Sequence, residues 1–280
     1  DGGPGNAMSA VISSDKTFSV ALKEPLPIVA AARGVLAEGS IEADLAINKL
    51  DMEGMESILV IPFFNITSGT AKGNLLISGR LNDPDIYGEL LGRDLLASVP
   101  VIPETVGPFV AQLSFKGKSL HINQARMPAG GAAIDGIAEF TLDHWLPRSF
   151  DIELSTVAMP GIHIRHNFSK VDVDGYGHGW LRITGDPFAI EVGGELVVSE
   201  ASIIIGEKPV TSKTKTPVIA DIEITTGRQV AFLWPNRNLP ILNAFVDTGQ
   251  KLSVMSNPLL GKLDIEGDIE VKGGEVFYFQ

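Results

Sequence analysis

Gly73-Asn74-Leu75-Leu76-Ile77-Ser78-Gly79, Gly179-Trp180-Leu181-Arg182-Ile183-Thr184-Gly185 and Gly261-Lys262-Leu263-Asp264-Ile265-Glu266-Gly267 all spell G-x-L-x-I-x-G. Seven to nine residues further on, each copy meets a second glycine followed by Glu and an aliphatic residue: Gly88-Glu89-Leu90, Gly194-Glu195-Leu196 and Gly274-Glu275-Val276. Side chains alternate faces along a strand, so the glycines, leucine and isoleucine of each copy share one side. Mostly polar residues take the other. In the third copy the alternation runs unbroken from Lys262 to Lys272, through Ile269 and Val271. The motif is a one-sided strand whose apolar face must be covered by something.

Working outward, the same period of two recurs in Ser40 to Asp51, Val110 to Phe115, Leu120 to Asn123, Ala133 to Leu142 and Phe150 to Val157. Phe188, Ile190, Val192, Leu196 and Val198 share one parity, after which Ser199 to Ser202 reads as a turn into Ile203-Ile204-Ile205. Asp174-Gly175 and Gly177-His178-Gly179 carry hairpin-turn chemistry. Met52 to Ser57 reads as a turn or short helix, and Ile58 to Phe64 as a strand broken at Pro62. Helical periodicity is scarce, while 30 glycines and 17 prolines punctuate the chain at strand-like spacing. The expectation is an all-β fold: one continuous open sheet, residues 9–280, with no clear domain boundary. Its softest joints fall at Leu91 to Pro108, which reads as a loop or edge segment, and at Gly206 to Thr216. Asp1 to Met8 resembles an expression scar, and Val276 to Gln280 stops in a strand-like run, so the chain reads as a piece of a longer protein.

Composition narrows the function. A net charge of −12 without a basic block argues against nucleic acid and anionic headgroups as surface partners. No cysteine is present, which excludes disulfides and thiolate metal sites and fits a periplasmic protein. Mean hydropathy is +0.19, yet no apolar run approaches the roughly 20 residues of a spanning helix. Catalytic patterns are poor. Gly117-Lys118-Ser119 lacks the upstream glycine of a phosphate loop, where Gln112 stands. Asp172-Val173-Asp174-Gly175 lacks the later ligands of a calcium loop. His163 and His166 face opposite ways on a strand, and no G-x-S-x-G elbow occurs. Nothing points to an enzyme, a metal or a cofactor.

With its G-x-L-x-I-x-G, Asp-Pro and G-E-[LV] phrases, the chain resembles the TamB family, the inner-membrane subunit of the translocation and assembly module, within the AsmA-like superfamily. Gly69 to Leu91 and Gly179 to Gly206 carry the resemblance most clearly, and Gly261 to Phe279 resembles the family's phrase near its carboxy end, though without Asp-Pro. The family's membrane anchor has no counterpart in this sequence. The resemblance implies a long, twisted antiparallel sheet curled into an open trough with an aliphatic concave face, the β-taco. It implies the periplasm, a parent protein attached to the inner membrane, a BamA-like barrel partner (TamA or BamA) at the outer membrane, and phospholipid traffic between the membranes. An alternative role is a scaffold lending an open strand edge to outer-membrane proteins during insertion. The acyl chains would run along Leu75 and Ile77; Leu181, Ile183, Ile190, Val192, Leu196 and Val198; Ile203 and Ile205; and Leu263, Ile265, Ile269 and Val271.

Overall fold

The computed structural model describes residues 7–53, 64–168, 171–186, 188–206 and 217–277. Among them are nineteen strands and no helical element, all within one hydrogen-bonded sheet. The all-β expectation therefore holds. The stretches expected at Ile58 to Phe64 and Gly206 to Thr216 lie almost wholly outside the described residues. Backbone contacts divide the chain into two compact units: Asp1–Ser98 with Val106–Met127 and Gly136–Asp151, and Val99–Thr105 with Pro128–Asp135 and Ile152–Gln280.

The first unit is an antiparallel meander. β1 (Met8–Ile12), β2 (Thr17–Leu22), β3 (Ile28–Ala37), β4 (Ser40–Asp51), β5 (Asn65–Arg80) and β6 (Asp83–Val99) pair in chain order. They are followed by β7 (Ile102–Gly117), β8 (Ser119–Ala129), β9 (Ala132–Asp143) and β10 (Leu146–Thr156). Leu91 to Pro108, expected from Pro100, Pro103 and Pro108 to be a loop or an edge segment, is instead the run of β6 into β7. The reason is a bulge. Asp94 sits at φ 52°, in the left-handed region, and the register slips between Ser68 and Thr70. Ile86 and Leu90 are buried before it, Leu95 and Ala97 after it. One extra residue thus moves the buried phase from even to odd positions, and in the sequence that slip looks like lost alternation.

Without a helix or second sheet among the described residues, the apolar face of this unit is covered by its own sheet curling. β6, β7, β8 and β9 lie side by side. In a flat sheet three spacings would put Asp83 about 14 Å from the end of β9. Instead the His144 amide donates to Asp83 Oδ1 at 3.0 Å, and Trp145 Nε1 donates to the Leu81 carbonyl at 2.9 Å. The Phe64 and Phe109 rings meet edge-on at 6.1 Å.

The second unit contains β11 (Ile162–Phe168), β12 (Val171–Gly185) and β13 (Ile190–Ile205), antiparallel in turn. Asp174-Gly175 and Gly177-His178-Gly179 make no hairpin turn; they lie inside β12, paired with β11 and β13. Ser199 to Ser202 is likewise a bulge rather than a turn. Tyr176 pairs with Ser199 but Asp174 with Ser202, and Glu200 takes φ 49°. The extra residue carries the buried phase from Val198 to Ala201 and Ile203, which pack together with Val230.

That bulge continues across the sheet as a corner. β14 (Val218–Thr226) and β15 (Val230–Trp234) pair end to end along β13, both parallel to it. Between them Gly227 to Gln229 bonds the bulge: the Gly227 amide to the Val198 carbonyl, the Glu200 amide to Arg228 and the Ala201 amide to Gln229. β16 (Leu242–Val246) and β17 (Lys251–Asn257) run back along β15 and β14, broken at the same level. β18 (Lys262–Glu266) and β19 (Val271–Val276) pair with β17 and β16, broken there again. The unbroken strand expected from Lys262 to Lys272 is therefore two strands with a step at residues 267–270. Thr226, 1% exposed, pins the corner: its Oγ1 donates to the Asp247 carbonyl at 2.6 Å and accepts from the Gln250 amide at 2.9 Å.

Candidate functional site

The repeated motif has a single structural meaning in its first two copies. Gly73 pairs with Leu90 and Leu75 with Gly88; Gly179 pairs with Leu196 and Leu181 with Gly194. Each leucine thus faces a glycine across the ladder. The close approach needs glycine. A Cβ on Gly88, at φ 123°, would lie 2.2 Å from the Asn74 carbonyl oxygen, and one on Gly179, at φ 143°, 2.1 Å from that of Glu195. The third copy pairs otherwise: its G-x-L-x-I-x-G strand joins β17, while Gly274-Glu275-Val276 joins β16.

The expected lining residues meet different fates. Leu75 and Ile77 are each 8% exposed, packed in a closed face with Ala43, Ile86 and Leu90 on the neighbouring strands. In the second unit Ile190, Val198 and Ile203 are buried, whereas Leu181, Ile183, Val192 and Leu196 are part-buried. Ile205 is exposed at the end of β13. Ile265 and Val271 are also exposed, Ile269 is part-buried in the step between β18 and β19, and the side chain of Leu263 lies outside the described residues.

The register assembles the part-buried residues into rows. One runs Gly179, Leu196, Ile224 and Leu252 across β12, β13, β14 and β17. The next runs Leu181, Gly194, Ile222, Val254 and Ile265, reaching β18. A third runs Ile183, Val192, Ala220 and Ser256. Leu252, beside the corner, is buried; Ile183, Val192, Ala220 and Ser256 at the far end are part-buried. Four strand spacings make the five-strand ladder about 19 Å across. Apart from Ser256 it is apolar; it is buried at the corner, part-buried away from it, and exposed at Ile265. His166, opposite Val173 on the same inward phase, has its pKa lowered by burial.

The other face carries charged groups among apolar ones: Trp180, Arg182, Thr184, Glu191, Gly193, Ile219 and Asp221, with Val192, line a shallow cleft of about 490 Å³. Towards β11, His163 stacks on Tyr176 with ring centroids 5.3 Å apart. Its Nδ1 lies 2.8 Å from Glu104 Oε1 and its Nε2 2.8 Å from Asp174 Oδ1. Arg237 donates to Asp174 Oδ2 at 2.9 Å, with Arg165 at 3.8 Å. Hydrogen bonds to Asp174 and then Glu104 raise the His163 pKa, and the bond from His163, with that from Arg237, lowers the Asp174 pKa. Sequence spacing did not disclose this cluster, because Glu104 and Arg237 are 59 and 63 residues from the partners they bind.

In the first unit Asp83, Asp143 and His144 bring three ligand-type atoms within 4.8 Å of one another. Lys118 and Arg148 already neutralise these carboxylates, at 2.6 and 2.8 Å, so the group is a latch between turns. The Lys118 that resembled a phosphate-loop lysine spends its ammonium there, also donating to the carbonyls of Asp83 and Pro84. No helix among the described residues is long and apolar enough to cross a membrane. No family model matches the chain, and no curated protein or solved structure matches it either.

Proposed function

We propose that this chain is a lipid-conducting module, with the aliphatic ladder of β12, β13, β14, β17 and β18 as the path. The observation that carries the reading is the row Leu181, Gly194, Ile222, Val254, Ile265: apolar, continuous over five strands and reached by water. Ordinary core would be sealed. An acyl chain laid on this face leaves water at about 0.8 kcal/mol per methylene. Such contacts have no directional demand, so a chain can slide along them while its headgroup stays wet. The TamB-like cadence of the sequence supplies the setting: the periplasm, a parent protein anchored in the inner membrane, a BamA-like barrel partner and phospholipid moving between the two membranes.

Mass spectrometry of an organic extract of the purified chain tests this. Phospholipid in the wild type, absent from Ile183→Asp and retained in Arg182→Asp on the other face, is the expected result. A clean wild-type extract together with tight binding of unpaired β-strand peptides would replace the lipid path with a scaffold for protein insertion.

A further inference from the structure

The hairpin joining β15 to β16 has features the lipid path does not use. Trp234 pairs with Leu242, and the Ile241 amide closes on the Trp234 carbonyl at 2.6 Å. Beyond them the chain reads Pro235-Asn236-Arg237-Asn238-Leu239-Pro240. Asn236 Oδ1 accepts from the Leu239 amide at 2.8 Å, which braces the tip. Leu239 is 62% exposed, and Trp234, Ile241 and Leu242 are all exposed around it. The tip is held to the sheet by its only charge. Arg237 bonds Asp174, which His163 ties in turn to Glu104. Four large apolar side chains are thus kept in water on a braced turn, where loops ordinarily carry polar residues.

We propose that this hairpin, residues 234–242, is an anchor that inserts into the interfacial region of a lipid layer, an inference that rests on the lipid-path reading above. The size and chemistry of the tip select the partner. A stable protein interface takes about 20–30 residues on each side with matching shape, more than this hairpin offers even with the exposed Val276 and Phe277 bonded beside Leu242 and Ile241. A fluid lipid interface requires no matching shape. Tryptophan, with an apolar ring and one donor, is the side chain enriched at that depth. Since Arg237 is committed to Asp174, the tip brings no spare cation, and the lipid it suits is zwitterionic. Salt therefore has little to screen. The anchor would set the sheet that bears the ladder against the surface from which lipid is drawn.

Sedimentation of the full chain with phosphatidylcholine vesicles provides the test, alongside organic extraction of lipid from the purified protein before any vesicle is added. Wild type is expected to co-sediment equally at low and high salt. Its Trp234 fluorescence should be quenched by lipids brominated in the acyl chain, an effect that Trp234→Phe removes. Leu239→Ser with Ile241→Ser, both exposed and so harmless to the melting curve, should weaken vesicle partition at least tenfold. Ile183→Asp should partition like wild type while losing extracted lipid. Failure of the wild type to sediment, partition that collapses with salt, or a double variant that still binds would overturn the anchor. Loss of extracted lipid from no variant, with partition behaving as described, would overturn the lipid path and leave the anchor standing.

Discussion

Ile77 and Ile183 hold the same place in two copies of one motif, but their surroundings differ, and an aspartate at each measures the difference. Ile77 is 8% exposed and is paired with the buried Ala43 and Ile86. Replacing it forfeits about 2 kcal/mol of apolar burial. It also leaves a carboxyl that must stay neutral; a pKa raised by about three units costs about 4 kcal/mol at about 1.4 per unit. The total, about 6 kcal/mol, falls within the whole stability of a typical domain, about 5–15 kcal/mol. Ile77→Asp should therefore unfold its unit. Ile183 is part-buried opposite part-buried Val192, so its aspartate keeps water and charge. The expected loss is about 1.5 kcal/mol, or about 3–6 °C in Tm. Circular dichroism melts and urea titrations of both variants decide the matter. Equal destabilisation would mean that the second face is as closed as the first, and the lipid path would fall with that result.

Three further outcomes follow from the contacts. Gly179→Ala puts a Cβ 2.1 Å from a backbone oxygen at φ 143°, whereas Gly249, at φ 87°, has nothing within 4 Å; chemical denaturation should record losses of about 3–5 and 1–2 kcal/mol, and equal losses would refute the close-approach argument. Thr226→Val keeps the shape but strands the Asp247 carbonyl and the Gln250 amide, costing about 2–4 kcal/mol; a neutral effect in the same titration would show that the corner does not depend on this pin. His163 gains its partners on folding, so its raised pKa contributes stability that is full below about pH 6.5 and fades as pH rises through the folded value. Asp174, lowered, contributes above about pH 3.9 and loses it as pH falls through its own folded value. The stability gap between wild type and His163→Gln should thus shrink from pH 6 to pH 9, and a gap that widens over that range contradicts the ion pairing.

Alternation is a local property, and the sequence carried it well. Ser40 to Asp51 reads as a strand and is β4 to the residue; all three G-x-L-x-I-x-G copies lie in strands, with their Leu and Ile on one parity. That the repeated glycines serve a close approach between strands shows only in the ladder, at Gly88 and Gly179. What the sequence hid was every decision made between strands. A bulge at Asp94 or Glu200 adds one residue and reverses parity, which in one dimension looks like a loop or a turn. The third copy has the motif of the first two, yet its halves join β17 and β16, because the corner at Thr226 breaks the strands on either side at one level. Burial was equally unreadable: Ile77 and Ile183 are identical in pattern, and only the curl of the sheet over one of them and not the other separates core from open face. Side-chain period is set by neighbours two residues away, whereas register, curl and the His163 cluster are set by backbone and side-chain partners tens of residues apart, whose meeting depends on the fold as a whole.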